Sequence, residues 1–333
     1  MKEISPTQDR QNGAEVQKTC CSTESDAAAK GAALVEDILE NGSHKPLDTS
    51  PALLPPWYDH ELVLRGQDYF SCNLFNMFVV KLSGLLSLLS IPSILEVLRL
   101  TNKSYTPLLA YKRYLQTINQ MLTWYQSDLR NPNSQGRHSM EVVRKHHAFA
   151  SKSYGPITQK DMAVTQFGFV GFAITSYDQL GLPKEQTGLI HLWRVIGHML
   201  GIQDRFNLFR GCDLCTRSAC LEMRKRIFGP YVNDPPKHYH TMSKALLDGM
   251  WPLVPLMNQA AFVEHTRRLC GLPSKELTLL PFVFLYWQII IHRLSQIKVV
   301  AFVMLPILNF QIWLTLFIQK TVPILAFIAF GKQ

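Results

Sequence analysis

Met140, Val143, His147, Ala150 and Tyr154 recur at separations of three and four residues. This is the period of a helix that buries one face, and it constrains the chain more than any other feature. Ser139 stands where it would cap that helix, and Glu141 falls in its first turn, where a negative charge suits the dipole. The stripe places His147 among apolar neighbours, with Arg144 one turn earlier on its flank. His146, about 100° further round, points away from the stripe. An imidazole aimed between helices is either an ordinary core histidine or the iron ligand of a helical haem protein. These residues alone leave both readings open.

The same period continues through the folded part, which Pro55-Pro56-Trp57-Tyr58 opens. The apolar run Leu74 to Leu100 is long enough for a membrane span. Lys81, Gly84, Pro92, Glu96 and Arg99 interrupt it, however, and predict two buried helices joined by a kink or turn. Thr106-Pro107 is a helix start. The helix that follows carries Arg113, Gln116, Thr117 and Gln120 on one face, for which a solvated polar face is the plainest reading. Asn131 to Gly136 is a loop by composition. Thr158-Gln159-Lys160-Asp161 resembles a capping box. The helix beyond it contains Gly168 and Gly171, each costing about 1 kcal/mol relative to alanine, a cost tolerated where backbone approaches another helix or a flat group. Thr187 to Ile202 is a further helix, with Arg194 and Gly197 on one face and His191 and His198 two turns apart. Asp204 to Gly229 is read as a charged connection, and Met242 to Leu269 as helix distorted by prolines.

The two ends differ from the middle. Residues 1–50 are polar and almost free of aromatics, which predicts a disordered tail, with a transient helix over Ala27 to Leu39 and a lipidation candidate at Cys20-Cys21. Beyond Pro273 the chain turns apolar, and 299–318 is 20 nearly apolar residues. As a helix these rise about 30 Å, the hydrocarbon thickness of a bilayer. The expectation is one membrane anchor, the alternative being a hydrophobic helix folded on the core. Pro306, Asn309 and Gln311 weaken the span, and Arg293 and Lys298 beside it favour a cytosolic catalytic part. The expected organisation is therefore a tail over 1–50, a helical domain over 51–272 and a hydrophobic region over 273–333.

Composition narrows the function classes. A net charge of +9, with tight clusters at Arg224 to Arg226 and Arg267-Arg268, comes with no nucleic-acid motif. It suits an anionic membrane surface or haem propionates instead, and nucleic acid is not expected as a partner. No apolar segment follows Met1, so the seven cysteines are read as reduced and cytosol-facing. Cys212 and Cys215, with Cys220 nearby, invite a small zinc module but lack a second CxxC at finger spacing. No βαβ alternation, GxGxxG, P-loop, GxSxG, HExxH or paired ExxH occurs, which disfavours Rossmann enzymes, hydrolases and di-iron bundles.

Four segments taken in order resemble a known family: Arg113-Tyr114-Leu115-Gln116-Thr117, Val143-Arg144-Lys145-His146-His147, Thr165 to Phe172, and Trp193 to Ile202. They are similar to the catalytic domain shared by bacterial latex-clearing (rubber) oxygenase and the fungal ER-bound oxygenase of mycophenolic acid biosynthesis, from about Trp57 to about Leu272. The 31-residue interval between Arg113 and Arg144 fits that order. The resemblance implies an all-α, multi-helix single domain around a haem pocket. It also implies haem b as cofactor, and O2-dependent cleavage of a C=C bond in a hydrophobic, isoprenoid substrate. His147 would ligate the iron, Arg144 would support the haem or its propionates, and Arg194 would join them in binding the cofactor. Arg113, Gln116 and Thr117 would form the distal or substrate side. The rubber-oxygenase pattern has a lysine before the threonine, and this chain has Gln116. Lysine-based chemistry is thereby in doubt, although Gln116 retains a hydrogen bond for oxygen. The alternative is a haem-binding or haem-free, membrane-associated helical protein with lost chemistry, acting as a sensor or interaction partner. An endoplasmic-reticulum membrane is the expected location.

Overall fold

The computed structural model describes residues 20–254, 257–321 and 324–331. Among these residues the chain is all-α and forms a single compact domain, as the helical period predicts. The helices in order are α1 (Glu24–Glu40), α2 (His60–Cys72), α3 (Leu74–Leu88), α4 (Pro92–Leu100), α5 (Pro107–Gln126), α6 (Gln135–Tyr154), α7 (Gln159–Thr175) and α8 (Thr187–Met199). They are followed by α9 (Asp213–Met223), α10 (Gly229–Asn233), α11 (Tyr239–Met250), α12 (Gln259–Leu269), α13 (Leu279–Leu294), α14 (Lys298–Thr321) and α15 (Ile324–Phe330).

Local sequence accounts for most of these boundaries. Thr106 caps α5, its hydroxyl accepting from the Leu109 amide with Pro107 next in line. Thr158 and Asp161 form a reciprocal capping box on α7, satisfying two backbone donors that would otherwise be orphaned. The α6 helix departs from expectation. Its cap is Ser134, which accepts from the Arg137 amide, so the helix begins inside the predicted loop. Ser139 lies within the helix and accepts from the indole of Trp124 at 3.0 Å. The connection expected over Asp204 to Gly229 is largely helical, with α9 passing through a π-turn at Arg224–Phe228 into α10.

The N-terminal expectation needs correction from residue 20 onward; residues 1–19 lie outside the described residues. Leu34, Val35 and Ile38 of α1 are buried in the main core, so this helix is a packed element and not a transient one. Its acidic outer face is tied by Asp37 to Arg205 at 2.7 Å and by Glu36 to Arg226. Composition placed a transient helix here but not its packing, because three apolar residues suffice when the rest of the domain supplies the other half of the contact.

The main core is built on α7, whose residues face buried neighbours nearly all round, with α3 and α8 packed against it. Contact between α3 and α7 depends on Gly84 and Gly168. A Cβ on Gly84 would lie 1.6 Å from the Gly168 carbonyl oxygen. The approach anticipated from the glycines of α7 is therefore to another helix.

The C-terminal apolar region resolves into α13, α14 and α15. Among the described residues α14 is the one unbroken helix long and apolar enough to cross a membrane, with 24 residues and a mean hydropathy of 2.0. Val299, Phe302, Ile307, Phe310 and Trp313 on it are exposed. One narrow edge is docked on the domain. Asn309 accepts from the Phe75 amide at 2.9 Å and donates to the Cys72 carbonyl at 2.7 Å. These backbone groups sit at the break between α2 and α3, where the chain turns through 92°. Further along, Ile312 is buried against α3 and α11, and Gln319 is held by Tyr111 and the Pro252 carbonyl. The edge is therefore docked on the domain, as the second of the two expectations has it, and the remaining faces are largely bare.

Candidate functional site

Helices α3 to α8 enclose a partly open cavity of about 410 Å³, within the size range of small-molecule sites. Its walls are mainly apolar and aromatic, including Met121, Trp124, Val143, Phe169, Trp193 and Ile196. The polar face of α5 turns toward this space. Arg113, Gln116, Thr117 and Gln120 all line it, which corrects the reading of a solvated surface. Gln116 is exposed and also lines a neighbouring surface groove, so it marks where the cavity meets the outside. Thr117 uses its hydroxyl to bond the Arg113 carbonyl one turn back.

His147 reaches the same cavity from α6. Its Nδ1 is shut off from solvent and has no hydrogen-bond partner. Buried side-chain nitrogens are normally satisfied, and His147 shares this lack of a partner with nitrogens of His191, His198 and His292, which lie off the cavity wall. Burial pushes the imidazole pKa down to about 4, and the positive field of Arg113 adds to the effect. The ring is thus neutral near pH 7 and has a lone pair to give. His146 also lines the cavity, although the helical period placed it outside the stripe; its exposure puts it at the edge.

Arg113 donates to Thr101 at 3.0 Å and forms no ion pair among the described residues. Burial lowers its pKa, and the guanidinium still has spare N–H groups facing the cavity.

Two other expected residues lie elsewhere. Arg144 is absent from the cavity wall and donates to the carbonyls of Met199, Asp48 and Ser50, tying the segment before α2 to the end of α8. Arg194 makes a bidentate pair with Asp204 and stacks 3.8 Å over the Trp57 ring. Both arginines fasten the scaffold. His191 and His198 likewise flank Trp57, with ring centroids at 5.9 and 5.7 Å. His191 accepts from the Asp59 amide, and neither histidine lines the cavity.

Lys81 is the residue that sequence reasoning passed over. It is buried on α3, lines the cavity, and has no carboxylate partner among the described residues. Its Nζ donates to Tyr125 at 3.2 Å and lies 4.9 Å from the centre of the Trp193 ring, with Phe70, Tyr125 and Phe169 also within 5.7 Å. Cation–π attraction yields about 0.5–2 kcal/mol, against several kcal/mol for desolvating an ammonium. Desolvation wins, and the pKa falls well below its ordinary value. The signal in the sequence was a lone lysine in an apolar run.

The sequence model of a family described as ER-bound oxygenase mpaB/B′/rubber oxygenase, catalytic domain, matches residues 73–290. The chain belongs to this family. The match begins at the junction of α2 and α3 and runs into α13, so it contains every cavity residue named above. No curated protein and no solved structure matches the chain. Family membership supports an oxygenase function and, with it, O2 and an oxidisable substrate.

Proposed function

We propose that this protein is a haem b-dependent oxygenase that cleaves a C=C bond of a hydrophobic, isoprenoid-type substrate with O2. The single observation behind this reading is the neutral, partnerless His147 on the wall of a largely apolar cavity. The residues present fit the cofactor. His147 offers a nitrogen lone pair to iron, Arg113 offers unpaired donors to an anionic edge, and the aromatic walls suit a flat macrocycle. Haem held there would supply the oxygen chemistry, and the protein would supply the ligand, the distal polarity and a dry space.

The chain's own groups divide the remaining work. Trp124, Phe169, Trp193 and Ile196 exclude water and give an alkyl chain an apolar bed. Lys81 Nζ, its pKa lowered by burial, offers a hydrogen-bond donor inside the cavity and a more readily lost proton than an exposed lysine. Gln116 and Thr117 offer polar contacts on the α5 side.

Membrane association belongs to the same proposal. The exposed apolar faces of α14 and the ER-bound family description support an endoplasmic-reticulum membrane, with Arg293 and Lys298 favouring a cytosol-facing domain. Such a position would bring the cavity to a lipid-soluble substrate.

The visible absorption spectrum of the purified protein beside His147→Ala tests the reading. The wild type should show a Soret band that the variant lacks, together with O2 uptake on an isoprenoid substrate. Absence of the band after haem loading overturns it. A band without O2 uptake would favour the second reading, a haem-binding sensor or interaction protein. The observation on that side is Gln116 where the rubber-oxygenase pattern has lysine.

A further inference from the structure

Four cysteines far apart in sequence meet outside the cavity. Cys20 and Cys21 precede α1, Cys212 caps α9 and Cys215 lies in the first turn of α9. Their Sγ atoms all lie within 4.8 Å of one another. The Cys20 and Cys215 sulfurs are 3.4 Å apart and those of Cys21 and Cys212 are 3.1 Å apart. A tetrahedral zinc site with Zn–S bonds of about 2.3 Å has sulfur–sulfur edges of about 3.8 Å. The cluster has the compactness of that tetrahedron, with room for one ion and none for a multi-iron core.

The surroundings suit a metal thiolate. The Cys212 amide donates to the Cys20 sulfur at 3.1 Å, and the N-terminus of α9 directs its positive end toward the group. Lys30 donates to the Cys20 carbonyl and pairs with Asp26 at 2.8 Å, placing a cation beside the excess negative charge of four thiolates. Cys220, grouped with Cys212 and Cys215 on spacing alone, is instead fully buried in the main core. The second ligand pair is Cys20-Cys21, which spacing could not reveal because it lies 191 positions or more from its partners across the cluster.

We propose that Cys20, Cys21, Cys212 and Cys215 form a structural zinc site that staples α1 to α9. All-sulfur tetrahedral donors select zinc among the common divalent ions of a reducing compartment. The staple acts where the two helices already touch, with α1 so close that a Cβ on Gly31 would lie 2.6 Å from the Ala219 amide nitrogen. Zinc binding there adds to folding energy, because the unfolded chain holds no preformed site.

Metal analysis of the full-length protein, purified in reducing buffer without chelator, tests this directly and separates zinc from any haem iron. One zinc per chain is expected, retained in Cys220→Ser and lost in Cys212→Ser/Cys215→Ser. A zinc-free wild type, or a double variant that keeps its zinc, overturns the proposal. Because the double variant is at risk of misfolding, wild-type protein is also treated with a zinc chelator. Release of zinc should expose four new reactive thiols and open α1 to protease. Intact mass showing the loss of four hydrogens, the mark of two disulfides, would overturn it.

Discussion

Lys81 Nζ donates to the Tyr125 hydroxyl at 3.2 Å, and the same oxygen accepts from the Trp193 indole at 2.6 Å. One phenol therefore fixes both the basic group and one of the two tryptophans of the cavity wall. The amine is desolvated inside a ring of aromatics, which lowers its pKa and has a consequence for stability.

An unfolded lysine titrates near 10.4, whereas burial holds folded Lys81 well below that value. Between the folded and the unfolded pKa, the unfolded chain thus binds a proton that the folded chain refuses. Stability should rise with pH through the neutral and mildly alkaline range, by up to about 1.4 kcal/mol per pH unit from this group. Lys81→Met should flatten that rise in denaturant titrations from pH 7 to 9. An unchanged slope would mean that Lys81 is charged in the fold.

Acid should act through the histidines. Burial holds His147, His191 and His292 at about 4 and His265 at about 3, each from an ordinary 6.5. Between pH 6.5 and about 4 the unfolded chain binds these protons and the folded chain does not, so stability is lost as pH falls. Four groups together give roughly 5 kcal/mol per pH unit at most. In haem-free protein, His191→Gln should remove about a quarter of the slope, because glutamine can still accept from the Asp59 amide. Midpoints at pH 7, 6 and 5 that coincide would contradict this account.

Gly84→Ala forces a methyl against the Gly168 carbonyl, and the two helices have no flexible side chain there to yield. The loss should exceed the usual overpacking range of about 1–3 kcal/mol. Gly155→Ala is the comparison. Its φ of 121° is strained for alanine, but open space surrounds it. A cost of about 1–3 kcal/mol from backbone alone is expected. Thermal unfolding of the two proteins side by side reads the difference.

Gln116→Lys probes the departure from the rubber-oxygenase pattern. In haem-loaded protein the substitution should alter the visible spectrum, since residue 116 lines the cavity. Lys112→Gln, on an exposed position outside the cavity wall, should leave the spectrum unchanged. Identical spectra for all three proteins would place residue 116 outside the reach of the iron.

The helical architecture was legible because capping signals and the apolar period act locally, as Thr106 and Thr158 show. The stripe of α6 also gave His147 its inward direction. Orientation between helices was less accessible. The polar face of α5 has the spacing of a surface face, and only packing shows that it lines a cavity. Arg144 and Arg194 match family motifs, yet their partners are backbone carbonyls and Asp204, supplied by distant segments. The four-cysteine cluster joins the two ends of a long sequence interval, and no local pattern carries that information.

The docking of α14 bears on how the protein should be handled. Removing a C-terminal hydrophobic helix is a common route to a soluble enzyme. Here the cut would uncover the Phe75 amide and the Cys72 carbonyl at the 92° corner between α2 and α3, and would strip Ile312 from its packing. Each hydrogen bond lost to water costs about 0.5–1.5 kcal/mol, and the lost burial of Ile312 adds to it. A truncated version ending before Lys298 would therefore be a weakened fold, and its inactivity would say little about the chemistry of the intact chain.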